Sequence, residues 1–162
     1  MNEKDMFLKT WEREFQTTLK VLKAFPGDKQ DFKPHERSQS AKELAWGFAT
    51  GETVLVNGVV KGEVDFQSAP KPPAVFSEIL STYEKTHREM VGKVKNFAEA
   101  DFSKSIPFPV GPKQMGELRG GDVLWLIVMD GVHHRGQFSV YLRLAGGKVP
   151  SIYGPSADEP WM

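Results

Sequence analysis

The stretch from Asp122 to Ala145 reads DVLWLIVMDGVHHRGQFSVYLRLA. It contains no proline, and two consecutive glycines follow it, which is a common way for a helix to end. The seven residues from Val123 to Met129 are apolar on every side of a helix, a pattern typical of a helix surrounded by others. We therefore predict a long helix over about 123–145, capped by Asp122, as one member of a helical bundle.

Three further helices are predicted before this one. The first covers about 4–24, where large apolar residues recur every three or four positions. The second begins after Ser40, which has the spacing of a capping box with Glu43, and it ends near position 60. The third is predicted to begin at the Pro72-Pro73 pair and to end near position 97.

The segment between the third and the last helix is not helical in pattern. Positions 106–112 contain three prolines and are predicted to form a short extended excursion. Long helices with short breaks and little strand pattern indicate an all-α fold, a four-helix bundle. Because 162 residues fit one domain, we predict that residues 1–162 form a single domain of this kind.

Composition and charge narrow the classes of function. Lys plus Arg and Asp plus Glu both number 21, so the formal net charge is zero and no basic excess indicates nucleic-acid binding. No apolar run approaches the roughly 20 residues that a membrane-spanning helix needs. The absence of cysteine excludes disulfides, thiolate ligands and a cysteine nucleophile. Since the charged N-terminus lacks a signal-peptide core, we predict a cytoplasmic protein that binds neither nucleic acid nor a membrane.

An acid and an imidazole lie one helical turn apart in the predicted last helix. Asp130 and His134 fall on the same helical stripe as Ile127 and Tyr141, so both are predicted to be buried. A buried carboxylate must be paired, hydrogen-bonded or metal-bound. The i, i+4 spacing suits two ligands of one metal ion, and it also suits an ion pair or a water-bridged network without metal.

Glu52 is a candidate third member of this cluster. It interrupts the apolar stripe of the second helix, and an inward Glu52 would face Asp130 and His134. One histidine with two carboxylates resembles the ligands of iron, manganese or zinc sites that keep open positions. The alternative is a simple salt bridge from Glu52 to His134 or to Arg135.

The other histidines and several glycines complete the list of candidate residues. His35 lies in a polar loop and His87 in a charged run, so both are predicted to be solvated. Glycines inside predicted helices indicate either close helix packing or space for a ligand. These glycines are Gly47, Gly51, Gly131 and Gly136.

The run HHRGQFSVYLR from His133 to Arg143, followed by VPSIYG from Val149 to Gly154, resembles the DinB-like superfamily. Its members include YfiT-type metal-dependent hydrolases, bacillithiol transferases and mycothiol-dependent isomerases. The helix order, the Ser-capped second helix with its LAWGFATGE sequence and the C-terminal tail extend the resemblance to nearly the whole chain. The resemblance implies a four-helix bundle, often a homodimer, with a divalent ion held by three histidines.

The sequence departs from this three-histidine pattern. The family histidine of the second helix corresponds to Gly47, and the first histidine of the last-helix pair corresponds to Asp130, so that only His134 is retained. Two alternatives follow. Either Glu52 and Asp130 build an oxygen-rich site around His134, or the metal site has been lost.

The resemblance implies a metal-dependent enzyme, a hydrolase or a transferase of a low-molecular-weight thiol. Its expected ligands are Glu52, Asp130 and His134 around one zinc, nickel, manganese or iron ion, or no ion if the site is lost. Its expected partners are a small-molecule substrate or thiol and a second copy of the chain. The alternative is a non-catalytic dimeric binding or scaffold protein in which the same Asp, His and Glu form a metal-free buried network.

Overall fold

The structure is a computed structural model, and it describes residues 2–162. Four long helices and one short helix alternate with loops, and a two-stranded antiparallel hairpin precedes the last helix. In chain order the elements are α1 Glu3–Lys23, α2 Ala41–Lys61, α3 Phe76–Lys95, α4 Glu99–Ser103, β1 Ser105–Gly111, β2 Gln114–Arg119 and α5 Gly120–Leu144.

The four long helices pack around one another, which confirms the predicted all-α four-helix bundle. Helix α1 packs on α3 and α5, and α2 packs on the same two helices. The apolar core has two clusters along the bundle, one around Phe15, Leu22 and Phe138 and the other around Trp11 and Leu124. The candidate site lies where these two clusters meet. No helix within residues 2–162 is sufficiently long and apolar to span a bilayer.

The predicted capping box at the start of α2 is confirmed. The Ser40 hydroxyl accepts a hydrogen bond from the Glu43 N–H at 3.2 Å, and the Glu43 carboxylate accepts one from the Ser40 N–H at 2.7 Å. These bonds satisfy backbone donors that the first turn of a helix leaves free. The cap fixes the first residue of α2 and thereby the direction in which its Glu52 face points.

The predicted extended segment is also confirmed, as the first strand of the hairpin. Residues of β1 pair antiparallel with β2, and the turn contains Lys113 with φ at 58°. Ile106 in β1 is fully buried in the core. Helix α4, just before the hairpin, has no counterpart in the sequence-based prediction, because five residues are too few to show a helical period.

Two predicted helix starts differ from the structure. Helix α3 begins at Phe76 rather than at the Pro72-Pro73 pair. Helix α5 begins at Gly120, so Asp122 lies inside its first turn and is not the N-cap. The start of α5 is fixed by the base of the hairpin, because the Gly120 N–H donates to the Lys104 carbonyl at 2.9 Å.

Candidate functional site

A narrow cavity of about 40 Å³, here called the central cleft, opens between α1, α2 and α5. It can hold a few water molecules or the end group of a larger molecule, since one water needs roughly 10–15 Å³. The cleft is lined by Trp11, Glu14, Phe15, Thr18, Gly47, Phe48, Gly51, Glu52, Leu55, Tyr83, Ile127, Val128, Asp130, Gly131 and His134.

Three glycines keep the central cleft open. A Cβ atom added at Gly47, Gly51 or Gly131 would find no atom of a neighbouring element within 4 Å. Close helix packing therefore does not explain these glycines, and the prediction of space for a ligand is the better of the two alternatives. Gly136 has open space around it as well, but it lies on the exposed face of α5.

Glu52 is buried beside the central cleft, and its carboxylate is held by two side chains. The Trp11 indole Nε1–H donates to Glu52 Oε1 at 2.8 Å. The His87 Nδ1 atom lies 3.1 Å from Oε1 and 3.2 Å from Oε2. Burial raises the pKa of the Glu52 carboxyl, and the bonds from His87 and Trp11 act in the opposite direction.

His87 is the most important residue that the sequence-based prediction placed wrongly. Its side chain is buried at 1% exposure, whereas the charged run around it predicted a solvated residue. The imidazole stacks on the Phe15 ring, with centroids 3.7 Å apart, and meets the Trp11 ring edge-on at 4.9 Å. The helical spacing of the apolar residues could have predicted that His87 is buried, because His87 continues the buried stripe of α3. That stripe is Ile79, Tyr83, His87, Met90 and Val94.

The second nitrogen of His87 faces another carboxylate. His87 Nε2 lies 3.1 Å from Glu12 Oε2, and the Glu12 side chain is half exposed. Each nitrogen–oxygen contact needs one shared proton. Either His87 is an imidazolium between two carboxylates, or it is neutral and one carboxyl of Glu52 or Glu12 is protonated. In both cases the three side chains together carry a net charge of −1.

Asp130 and His134 are not buried, contrary to the prediction. Their side chains are 64% and 36% exposed, and Asp130 Oδ1 lies 3.3 Å from His134 Nε2 at the mouth of the central cleft. The prediction followed the stripe that starts at Val123. Between Asp130 and Gln137 the neighbouring stripe of Arg135 and Phe138 is the buried one, whereas Tyr141 and Ala145 at the end of the predicted stripe are buried again.

The three predicted metal ligands all line the central cleft, but they do not form a three-ligand site. Glu52 is already bonded to Trp11 and His87, while His134 lies against Asp130 and its Nδ1 lies 3.0 Å from Gln137 Oε1. Within residues 2–162, no group of three or more His, Asp or Glu side chains is arranged to hold a metal ion. The donor atoms at these positions therefore do not fit a metal ion in this geometry.

Arg135 forms a separate buried network, so the predicted alternative of a Glu52 salt bridge to Arg135 or His134 is wrong. Arg135 Nη2 donates to Glu14 Oε2 at 2.8 Å, and Nη1 donates to the Thr18 hydroxyl at 3.2 Å. The Tyr153 hydroxyl of the C-terminal tail contacts both Glu14 and Arg135. Although burial acts to raise the pKa of the Glu14 carboxyl, bonds from Tyr153 and Arg135 keep that pKa below its ordinary value.

The raised pKa of Glu52 gives a pH-dependent prediction. Such a carboxyl stabilises the fold at low pH, and this contribution is lost as pH rises from about 4.3, the ordinary glutamate value, through the higher folded pKa. The Glu52→Gln variant lacks this titration. We expect its free energy of unfolding, relative to the natural chain, to improve as pH rises, in urea titrations between about pH 4 and 8.

The matched control for this titration is Glu78→Gln, since Glu78 is an exposed glutamate of α3. A pH dependence of the stability difference that appears equally in Glu78→Gln would show that the effect is not specific to the buried Glu52. If Glu52→Gln instead lost unfolding free energy relative to the natural chain as pH rises, the fold would be stabilised by the ionised form of the Glu52 carboxylate.

Comparisons with known proteins place the architecture in a family. The model of the family described as "DinB family" matches residues 1–161. The uncharacterized protein YrdA of Bacillus subtilis strain 168 is 27% identical over 161 residues, which cover 96% of this chain and 90% of YrdA.

Two solved structures are similar in fold. A DinB-like protein from Bacillus cereus ATCC 10987 superposes with a TM-score of 0.76 at 22% identity, covering 91% of this chain and 95% of that one. The DinB-like protein YjoA from Bacillus subtilis gives a TM-score of 0.73 at 21% identity, covering 91% and 97% of the two chains. At these identities the similarity supports the fold alone.

Proposed function

This chain belongs to the DinB family, and we propose that it binds the end group of a small molecule in the central cleft without a resident metal ion. One observation carries the proposal. The oxygens of Glu52 are bonded to protein donors, whereas the glycines around them leave space that no side chain fills. The cleft therefore has room for a ligand and a charged group at its buried side.

The buried polar groups around the cleft are consistent with a pre-organised binding site. Within residues 2–162, every fully buried side-chain nitrogen or oxygen has a hydrogen-bond partner. The Glu52–His87 pair is held between aromatic rings, and the Arg135–Glu14 pair braces α5 against α1. A rigid site loses little entropy when it takes up a ligand.

Binding at the cleft can be measured through the Trp11 indole. Because its N–H donates to Glu52, its NMR signal should shift when a molecule enters the cleft. We expect a shift with at least one of three probes of similar size, namely ethylammonium, ethanol and acetate. The Gly51→Leu variant, which fills the cleft, should abolish it. If no probe shifts the signal, or if Gly51→Leu leaves the shift unchanged, the cleft is not a binding site.

The second candidate function is the metal-dependent enzyme of the family, a hydrolase or a thiol transferase. The observation that favours it is that Glu52, Asp130 and His134 line one cleft. This candidate requires the contact between Asp130 and His134 to open and Glu52 to exchange its partners. It predicts that manganese, zinc, nickel or iron(II) raises the melting temperature, and that Asp130→Ala removes the rise.

The first proposal predicts the opposite behaviour for the same variant. Since Asp130 is exposed and pairs with a half-exposed His134, Asp130→Ala should lower the free energy of unfolding by less than about 1 kcal/mol. Added metal should change neither the melting temperature of the natural chain nor that of the variant. Asp130→Asn is the matched control, because it removes the charge and keeps the shape.

The homodimer stays a prediction. Exposed apolar side chains along one side of α5, including Met129, Val140 and Leu144, are the candidates for its interface. The cytoplasmic location likewise stays a prediction.

A further inference from the structure

We propose that the central cleft selects the ammonium group of a small primary amine over anionic and neutral groups of the same size. The inference rests on the proposed function, since it names the chemical class of the ligand that the cleft would bind. Three features of the cleft carry it: the charge of its lining, its aromatic walls and its size.

The charge of the lining favours a cation. Among the residues that line the cleft there is no lysine or arginine, while Glu52 lies at its buried side and Asp130 at its mouth. The guanidinium of Arg135 behind the wall is bonded to Glu14. The group of Glu52, His87 and Glu12 keeps a net charge of −1 in either proton arrangement. At the mouth the His134 imidazole lies against Asp130, 3.3 Å from Oδ1, so the lining offers an anion no lysine or arginine and no imidazole free of a carboxylate.

The aromatic walls also favour a cation. The rings of Trp11, Phe15, Phe48 and Tyr83 line the cleft, and one face of the Phe15 ring is covered by the His87 imidazole. A cation over the face of an aromatic ring is attracted by the negative charge of that face, and the attraction grows when water is excluded. A neutral hydroxyl gains no comparable attraction from these rings.

Size and hydrogen bonding point to a primary ammonium. A cavity of about 40 Å³ holds an –NH₃⁺ group and the carbon next to it, with the rest of the molecule leaving through the mouth. In the arrangement in which His87 is an imidazolium, the ionised Glu52 carboxylate has about four acceptor positions, and only Trp11 and His87 bond to it. Capacity for an ammonium donor therefore remains, whereas the Trp11 N–H, a donor that an anion could use, is already engaged by Glu52.

A titration of the Trp11 indole signal with matched probes tests this inference. The probes are ethylammonium chloride, ethanol and sodium acetate, at pH 7 and constant ionic strength. Ethylammonium should bind with a Kd in the millimolar range, as expected for so small a ligand, and at least about tenfold more tightly than the other two. In Glu52→Gln this binding should weaken about tenfold or more, while Glu78→Gln should leave it unchanged.

The outcomes separate the ligand class from the proposed function. If ethanol or acetate shifts the signal as strongly as ethylammonium, and Gly51→Leu abolishes these shifts, the cleft binds small molecules but the ammonium inference is wrong. If no probe binds, both proposals fail. Should Glu52→Gln not fold, Asp130→Asn provides the charge test, because loss of the carboxylate at the mouth should weaken ethylammonium binding about two- to fivefold. Unchanged binding in that variant would also overturn the inference.

Discussion

Replacing Arg135 by methionine is expected to lower the free energy of unfolding by about 3–5 kcal/mol. The guanidinium is buried and bonds to the carboxylate of Glu14 and the hydroxyl of Thr18. Methionine fills most of the same volume, so the loss comes mainly from the Glu14 carboxylate, which stays buried without its cation. Urea denaturation at pH 7 measures the effect, provided that the m value of the variant matches that of the natural chain.

Arg143→Met is the matched control for this prediction. Arg143 lies on the same helix and also pairs with a carboxylate, that of Asp158, but its side chain is 47% exposed compared with 2% for Arg135. The free energy of unfolding should fall far less in Arg143→Met than in Arg135→Met, because water can replace the missing partner of Asp158. The double variant Glu14→Gln, Arg135→Met should recover part of the stability, since it leaves no buried charge unpaired. Equal losses in the two single variants would show that burial does not set the cost of breaking these pairs.

Replacing Gly120 by alanine is expected to be the most damaging change of a single methyl group. A Cβ atom at this position would lie 2.0 Å from the carbonyl oxygen of Asp101, which is backbone and cannot rotate away. The backbone at Gly120 is itself fixed by its hydrogen bond to the Lys104 carbonyl. We expect a loss of about 3 kcal/mol, at the upper end of the usual cost of overpacking.

Gly136→Ala is the control, because it makes the same chemical change on the same helix. No atom of a neighbouring element lies within 4 Å of its would-be Cβ. Alanine has the higher helix propensity, so this variant should gain up to about 1 kcal/mol. The melting temperatures of Gly120→Ala and Gly136→Ala, measured by thermal unfolding under the same conditions, give the difference in stability between the two variants. A stable Gly120→Ala protein would show that the junction of α4 and α5 can move to make room.

The fold was predictable because its signals are local and repeated. Apolar residues at helical spacing in four segments, the capping box at Ser40 and Glu43, and the prolines of the hairpin each identify an element independently. The exact starts of α3 and α5 were not predictable, since the hairpin base fixes α5 through a contact between Lys104 and Gly120. Such a contact between distant positions leaves no periodic pattern in the sequence.

The candidate site was predictable only in part. Glu52 was a candidate for an inward position because it interrupts an apolar stripe, and the structure buries it. Asp130 and His134 were predicted to be buried because the apolar residues before and after them on the same stripe are buried, but the cleft opens to solvent at these two positions. His87 was missed because its sequence neighbours are charged, although they lie on the other faces of α3. The composition of the surrounding segment therefore gave no indication that His87 is the partner of the buried Glu52 carboxylate.

The hairpin joins the bundle through its base, and its tip points away from it. Ile106 is packed in the core, and Lys104 and Gly120 close the base, while residues 112–115 around the turn are exposed. Extra residues placed between Gly111 and Gln114 would leave the four helices in register. The turn is thus a natural position at which to splice an epitope or a reporter domain into the middle of the chain.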